Sequence, residues 1–315
     1  MIRRSSSELM RRLERYGMKF RSFCLTHEGD YSVDDADWNY KDVPHLQYVH
    51  NLVEAVFGVV DDQHIATINL QKVLGVRIAL TVYNYESARN EQTYFMSFLF
   101  FVLIIRAQYE ALGDVRCRVT TTYSFGAPAW LIWLFPLVRW VLKRNYADLM
   151  SGDIPMRERR GQLRKWGATF KKPAEAHSFR ETMDLLTSHV SFPPDADSEA
   201  LDASWDVDLP AADGEVLLGR SDHRGLRVVV RDDGVFGFPR LCDHQGACLD
   251  HAKLADGAVT CPWHARRIRP LFSLSRINVG DVATFQAGNT SMIVRIIAPS
   301  KMLVEPKTIE SAQTS

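Results

Sequence analysis

A chain of 315 residues, 46% apolar and 24% charged, is long enough for two hydrophobic cores. Lys plus Arg and Asp plus Glu balance at 38 each, which removes the electrostatic basis for a nucleic-acid partner. Five cysteines, an odd number, argue against a disulfide framework and for a reducing cytoplasm.

The first residues, MIRRSSSELMRRLERYGMKF, have no apolar h-region and no small-residue cleavage site, so they do not read as a secretory signal. A helix is expected over Ser5 to Tyr16 and a strand across Tyr31 to Tyr40. KDVPHLQYVHNLVEAVFG carries Leu46, Val49, Val53, Val56 and Phe57 at helical spacing, with Pro44 early and Gly58 as the stop. Four β-like runs follow, His64 to Leu70, Val76 to Tyr85, Tyr94 to Ile105 and Val115 to Phe125. Two helical patterns close this part, AWLIWLFPLVRWVLKRNYADLM and PMRERRGQLRKWGATF. The order suits a curved antiparallel sheet around a long C-terminal helix.

A membrane-spanning helix needs about 20 apolar residues. TYFMSFLFFVLII is too short, and APAWLIWLFPLVRWVL is interrupted by Pro136 and Arg139. Both read as core or pocket elements, and a peripheral membrane contact of the second stays open. The basic run RERRGQLRK, Arg157 to Lys165, reads as a solvated helix face.

From Phe192 to Glu215 the chain is rich in Pro, Ala and Asp and lacks Lys and Arg, the composition of a linker. It separates a domain over residues 1–190 from one over 215–315, with 191–214 between them. The second part, with EVLLGR, LRVVVRDDGVFGFPRL, AVTC, VATFQAG and SMIVRIIAP as short strands and RDDG as a hairpin turn, should be a small all-β domain. The fold class expected for the whole is α+β.

The stretch LCDHQGACLDHAKLADGAVTCPWHARR, 241–267, holds three cysteines and three histidines. By spacing it contains Cys242-x-His244 and Cys261-x-x-His264. One zinc could take two thiolates and two imidazoles, but zinc fingers keep cysteines together and histidines together, whereas each segment here offers one of each. A 2Fe-2S cluster with two thiolates on one iron and two imidazoles on the other uses such a mixture. Cys248 and His251 spell a competing C-x-x-H. Only three residues separate Cys248 from His244, too few for a second loop, so Cys248 is expected to be buried and His251 to lie at the surface.

The stretch resembles Rieske proteins, whose pattern is C-x-H, a spacer of this order and C-P-[WY]-H, with a glycine after the first histidine that matches Gly246. The resemblance implies Cys242, His244, Cys261 and His264 as cluster ligands. It also implies a lower-potential type, because Trp263 stands where high-potential members carry the cysteine of a bridging disulfide. Ala265 departs from the glycine usual after the second histidine.

A cluster moves electrons and binds no organic substrate, which turns attention to DVPHLQYVH: Asp42-x-x-His45-x-x-x-x-His50. Two histidines and one carboxylate on one face make a mononuclear iron site with open positions for oxygen. Alone, two histidines five apart are more often helix residues than ligands. The spacing is similar to that of Rieske non-heme iron oxygenases. That resemblance implies Asp42 as the link from cluster to iron and an aspartate near the closing helix as third ligand. Asp153 and Asp148 are the candidates, and Asp153 is preferred as the N-cap of the PMRERR helix.

The N-terminal part is also similar in element order to START-like helix-grip domains, which enclose a hydrophobic pocket. Together the resemblances imply an oxidoreductase that uses dioxygen, a 2Fe-2S cluster and mononuclear Fe(II) to hydroxylate, demethylate or desaturate a hydrophobic small molecule. The domain order is reversed relative to that family. Electrons would come from a separate reductase or ferredoxin, since no G-x-G-x-x-G follows a strand. A homo-oligomer, commonly a trimer, is also implied. The alternative is an electron carrier fused to an iron-free module for a lipid or other hydrophobic ligand.

Overall fold

The computed structural model describes residues 6–50, 53–60, 64–73, 75–170, 190–193, 204–210, 213–274, 278–287 and 290–307. They form two compact units, one reaching to Lys165 and the other comprising 166–170 and the residues from 190 onward.

The first unit runs α1 (Ser6–Arg15), β1 (Met18–Gly29), α2 (Val33–Lys41), a 3-10 turn (Val43–His45), α3 (Leu46–Val49) and β2 (Val53–Val60). Strands β3 (His64–Val73), β4 (Val76–Ala88), β5 (Glu91–Phe98), β6 (Phe101–Gly113) and β7 (Arg116–Pro128) follow, then a 3-10 turn (Ile132–Leu134) and α4 (Phe135–Lys165). One antiparallel sheet has the order β1-β7-β6-β5-β4-β3-β2. Because β1 pairs with β7 while β2 sits at the opposite edge, the segment between them must cross the sheet. It does so with α2 packed on β6, β7 and α4. Ala36 of α2 meets Ala107, Tyr109, Cys117 and Val119 there. This is the expected helix-grip arrangement.

Several local expectations are corrected. Tyr31 to Tyr40 is not a strand, because Ser32 and Asp35 form a capping box that starts α2. The helix expected through Gly58 stops before His50, which is extended, and the β-branched run Val53–Val60 becomes β2. The run Tyr94 to Ile105 is a hairpin, turning at Leu99 (φ 51°) and Phe100, with Phe98 paired to Phe101. The two closing helical patterns are one helix of 31 residues, α4, with Pro155 inside it. Pro155 and Ser151 both lie on the exposed face, where water can satisfy the Ser151 carbonyl that proline cannot bond.

The basic run on α4 is likewise not a solvated face. Arg157 and Arg160 are fully buried, and the exposed residues of the run are Glu158, Gln162 and Lys165. Arg160 Nε meets Asp35 Oδ1 at 3.0 Å, and its guanidinium lies 4.0 Å over the Trp38 ring. Arg164 Nε donates to the other Asp35 oxygen at 2.8 Å. Burial pushes the Arg160 pKa down to about 10, opposed by Asp35. Burial raises the Asp35 pKa, but Arg160 and Arg164 outweigh it and the net shift is downward. At Gly161 a Cβ would lie 2.0 Å from the Asp30 carbonyl oxygen, so only glycine lets α4 approach this closely.

The second unit is all-β. It contains β8 (Trp205–Asp208), β9 (Gly214–Leu218), β10 (Leu226–Arg231), β11 (Gly234–Pro239), β12 (Leu254–Ala255), β13 (Ala258–Thr260), β14 (Arg267–Ile268), β15 (Phe272–Leu274), β16 (Val282–Ala287), β17 (Thr290–Ala298) and β18 (Lys301–Pro306). Sheets β15-β11-β10-β9 and β16-β17-β18-β8 face each other across a core that includes Val228, Val230, Phe285, Met292 and Val304. The small sheet β12-β13-β14 stands apart from them. Strand β8 lies inside the stretch read as linker: Val207 is buried in this core and β8 pairs with β18.

Asp35→Asn removes the carboxylate from two arginines, one of them wholly buried. It should destabilise the protein by about 3–5 kcal/mol. Chemical denaturation followed by circular dichroism measures this, and an unchanged midpoint would contradict the account.

Candidate metal centres

Two loops of the second unit carry the cysteine–histidine stretch. The first runs between β11 and β12, the second between β13 and β14, and their backbones repeat one pattern. In the first, Gly246 N–H donates to the Cys242 carbonyl at 3.0 Å and Cys242 N–H to the Ala247 carbonyl at 2.9 Å. In the second, Ala265 N–H donates to Cys261 at 3.0 Å and Cys261 N–H to Arg266 at 2.8 Å. Gly246 and Ala265 occupy equivalent left-handed positions, φ 90° and 52°. Ala265 therefore keeps the backbone that glycine adopts freely, at a steric cost.

The loops bring like ligands together. Cys242 and Cys261 are both buried and hydrogen-bond each other, and the His244 and His264 ring centroids are 4.7 Å apart. The Cys242 thiol lowers the Cys261 pKa against the effect of burial, and His264 assists, while Cys242 is pushed up. Two sulfurs side by side and two imidazoles side by side match a cluster whose one iron takes both thiolates and whose other takes both imidazoles. Cys248 is half-buried rather than buried, and His251 is exposed as expected. Arg227 on β10 donates to the Leu249 and Ala252 carbonyls, both at 2.8 Å, and Arg240 binds Asp250 through two bonds of 2.7 and 2.8 Å. The first loop is thus tied to the sheet beneath it.

In the first unit His45 ends the 3-10 turn, His50 follows α3, and Asp153 lies in the middle of α4. All three are buried. His45 Nε2 is 3.2 Å from both His50 Nε2 and Asp153 Oδ1, and His50 Nε2 is 3.0 Å from Asp153 Oδ1. Three ligands at right angles about 2.1 Å from one first-row ion lie about 3.0 Å apart, whereas tetrahedral ligands lie about 3.4 Å apart. The observed separations of 3.0–3.2 Å lie between these two values, close enough for all three atoms to bind a single ion. His45 Nδ1 contacts the Asp42 carbonyl oxygen, which makes Nδ1 a protonated nitrogen, so Nε2, the atom beside Asp153, is the one that would bind a metal.

Asp153 is not a helix N-cap, since α4 begins at Phe135, and Asp148 is exposed. The Asp42 carboxylate is buried behind His45, 3.7 Å from Nδ1. Several residues that build the site carried no motif. Asn39 Nδ2 lies 3.4 Å from Asp153 Oδ1, and Arg157 spans Asp153 Oδ2 at 3.4 Å, Asn39 Oδ1 at 2.7 Å and His27 Nε2 at 3.0 Å. With Arg157 donating to Nε2, His27 carries its proton on Nδ1, toward the Tyr146 hydroxyl at 2.5 Å. Burial, then Arg157, pushes the His27 pKa down to about 4, so it is neutral. The signal for Arg157 was its i+4 spacing from Asp153. At Gly152 a Cβ would lie 2.7 Å from Val49 Cγ1 and 3.1 Å from His50 Cε1, so glycine makes room for the second histidine.

Burial raises the Asp153 pKa, but hydrogen bonds from His45 and His50 and the Arg157 charge hold it far below the carboxylate range. Burial lowers the His45 pKa, but Asp153 and Asp42 outweigh it and the net shift is upward. Beside these groups lies a cavity of about 170 Å³. Its wall combines Ile65, Val82, Met96, Ile105 and Met150 with Tyr94 and Tyr123. Asn69 and Asn84, both buried, also face it, and their Oδ1 atoms have no hydrogen-bond partner among the described residues.

Residues 206–273 match the family model of the Rieske [2Fe-2S] domain. No curated protein matches the chain significantly. Among solved structures, the Zhui aromatase/cyclase from Streptomyces sp. R1128 is 16% identical, with a TM-score of 0.41 over 45% of this chain and 96% of that one. A START superfamily protein from Mycobacterium smegmatis is 11% identical, with a TM-score of 0.37 over 44% and 97%. Norcoclaurine synthase from Thalictrum flavum is 10% identical, with a TM-score of 0.37 over 46% and 90%. The second unit thus contains a Rieske domain, a fold that carries a 2Fe-2S cluster in oxidoreductases and electron carriers.

Ala265→Gly should stabilise the cluster loops by about 1 kcal/mol by relieving the left-handed alanine. The temperature at which the cluster absorbance is lost would rise, and an unchanged or lower value would contradict the assignment. Gly152→Ala should displace His50 and destabilise the first unit by about 1–3 kcal/mol in chemical denaturation without disturbing the cluster absorbance.

Proposed function

We propose that the protein is a Rieske-type non-heme iron oxygenase acting on a hydrophobic small molecule. The observation that carries this reading is the convergence of His45 Nε2, His50 Nε2 and Asp153 Oδ1 at 3.0–3.2 Å, on the wall of a mainly apolar cavity. Cys242, His244, Cys261 and His264 would hold the 2Fe-2S cluster, and His45, His50 and Asp153 a mononuclear Fe(II). When bound, the cluster supplies single electrons and the mononuclear iron supplies open positions at which dioxygen is activated.

The chain's own residues do the rest. The Asp42 carbonyl fixes the His45 tautomer, and the Asp42 carboxylate stands behind the same ring as the end of an electron path. Arg157 meets Asp153 Oδ2 at 3.4 Å and leaves Oδ1 turned toward His45 and His50, where it would hold the metal. The cavity wall excludes water from the apolar part of a substrate. Asn69 and Asn84 present two buried acceptors that a hydroxyl or N–H of the substrate would satisfy, since leaving them unmet costs free energy. The substrate class is an uncharged, largely apolar molecule with at least one hydrogen-bond donor. Electrons would come from a separate reductase or ferredoxin, and a homo-oligomer would let cluster and iron of different subunits meet.

A second reading makes the chain an electron carrier joined to an iron-free ligand-binding unit. Asp153 lies within salt-bridge distance of both histidines, an arrangement that satisfies a buried carboxylate by itself, and this favours it. Iron stoichiometry separates the two. Anaerobically prepared protein should hold about three iron atoms for every two acid-labile sulfides. His45→Ala should lower the ratio to about two to two with the cluster spectrum intact, whereas His264→Ala should lose the cluster itself. A two-to-two ratio in the unaltered protein would overturn the oxygenase reading.

A further inference from the structure

At one end of the first unit's sheet, three chain reversals lie together. Met18 of β1 pairs with Pro128 of β7, and Val102 of β6 pairs with Gly126 of β7. The turn before β1, the β5–β6 hairpin tip and the segment entering α4 therefore share this end. Each exposes large apolar side chains: Tyr16 in the first, Phe98, Leu99 and Phe100 in the second, Trp130 and Trp133 in the third. Leu99 is 78% exposed and Trp133 71%, and the Phe100 and Trp130 rings are 6.3 Å apart, which joins the hairpin tip to the segment entering α4. Leu137 and Trp140 extend it along α4 at helical spacing from Trp133. Soluble surfaces rarely gather so many exposed aromatic groups.

The charges around this surface have one sign near α4. Arg139, Lys143 and Arg144 are exposed, with Arg144 6.0 Å over the Trp140 ring. No Asp or Glu occurs between Asp114 and Asp148, or between Glu91 and Glu110. Lys19 and Arg21 are exposed at the start of β1, and α1 adds Arg11, Arg12 and Arg15 beside Glu8 and Glu14. Lysine is depleted in protein interfaces, whereas tryptophan beside exposed cations is the chemistry of a bilayer's interfacial region, with indoles among headgroups and cations on phosphates.

We propose that this end of the first unit is a docking surface for an anionic lipid bilayer, which it enters from one side without crossing. Among the described residues no helix is long and apolar enough to span a membrane. The same hairpin and helix that carry the surface continue into the cavity, Met96 and Ile105 from one and Tyr146 and Leu149 from the other. An apolar substrate dissolved in the bilayer would thus be held beside the elements that line the cavity. That last step rests on the oxygenase reading; attachment to lipid does not.

The test is flotation of the full chain with vesicles of phosphatidylcholine alone or mixed with phosphatidylserine. The protein should float with the mixed vesicles and only weakly with neutral ones, and salt should release it. Trp133→Ser with Trp140→Ser, and separately Lys143→Glu with Arg144→Glu, should each lower binding on the order of tenfold or more. All four side chains are exposed, so circular dichroism and the cluster spectrum should be unchanged. Absence of flotation, or equal flotation on neutral vesicles, would overturn the proposal. So would light scattering that shows an oligomer which the double tryptophan variant reduces to monomer. Vesicle binding needs no turnover, so its failure leaves the oxygenase reading standing, and a failed iron count leaves this one standing.

Discussion

The first unit depends on a charge buried in the middle of a helix. Asp153 cannot be placed away from water unless both of its oxygens are met, and they are, His45 and His50 on one and Arg157 on the other. Arg157 is itself wholly buried and is held by Asn39 and His27, with its guanidinium 4.7 Å over the Tyr40 ring. These partners come from β1, α2 and α4, so satisfying one carboxylate aligns three elements. The second buried pair, Arg160 with Asp35, repeats the constraint one helical turn along. Between them they set the rotation of α4 about its axis and hence the side chains it offers to the cavity.

Space is the complementary constraint. Gly152 and Gly161 lie on the same helix, one against His50 and the other against the Asp30 backbone. Charge pulls α4 inward and the glycines allow it to arrive. In the second unit two loops with the same hydrogen-bond pattern set thiol beside thiol and imidazole beside imidazole. Arg227 and Arg240 fasten the first of these loops, while the Arg266–Asp243 pair between the loops is too exposed to contribute much.

The metal-ligand candidates were legible because their spacing is a property of short segments. C-x-H with C-P-W-H, and D-x-x-H-x-x-x-x-H, need no knowledge of distant partners. Pro155 suggests a helix start with Asp153 as its cap, but an exposed proline is tolerated inside α4 and Asp153 lies within the helix. Arg157 and Arg160 were misread because a basic run looks the same whether its partners are water or buried carboxylates from another helix. Tyr31 to Tyr40 was misread as a strand because its aromatic residues outweighed the short capping signal of Ser32 and Asp35. The strand Trp205–Asp208 was hidden in acidic, alanine-rich surroundings, where only the alternation of Trp205 and Val207 marked a buried edge. Cavity residues such as Asn69 and Asn84 are set by sheet register, which one strand cannot disclose.

We propose that Asp153, and not the neighbouring Asp148, completes a metal site with His45 and His50. Equilibrium dialysis of Fe(II) under anaerobic conditions against cluster-loaded protein tests it directly. The unaltered chain and Asp148→Ala should each take up one additional Fe(II), and Asp153→Ala should take up none. Equal uptake by Asp153→Ala, or none by the unaltered chain, would contradict the account.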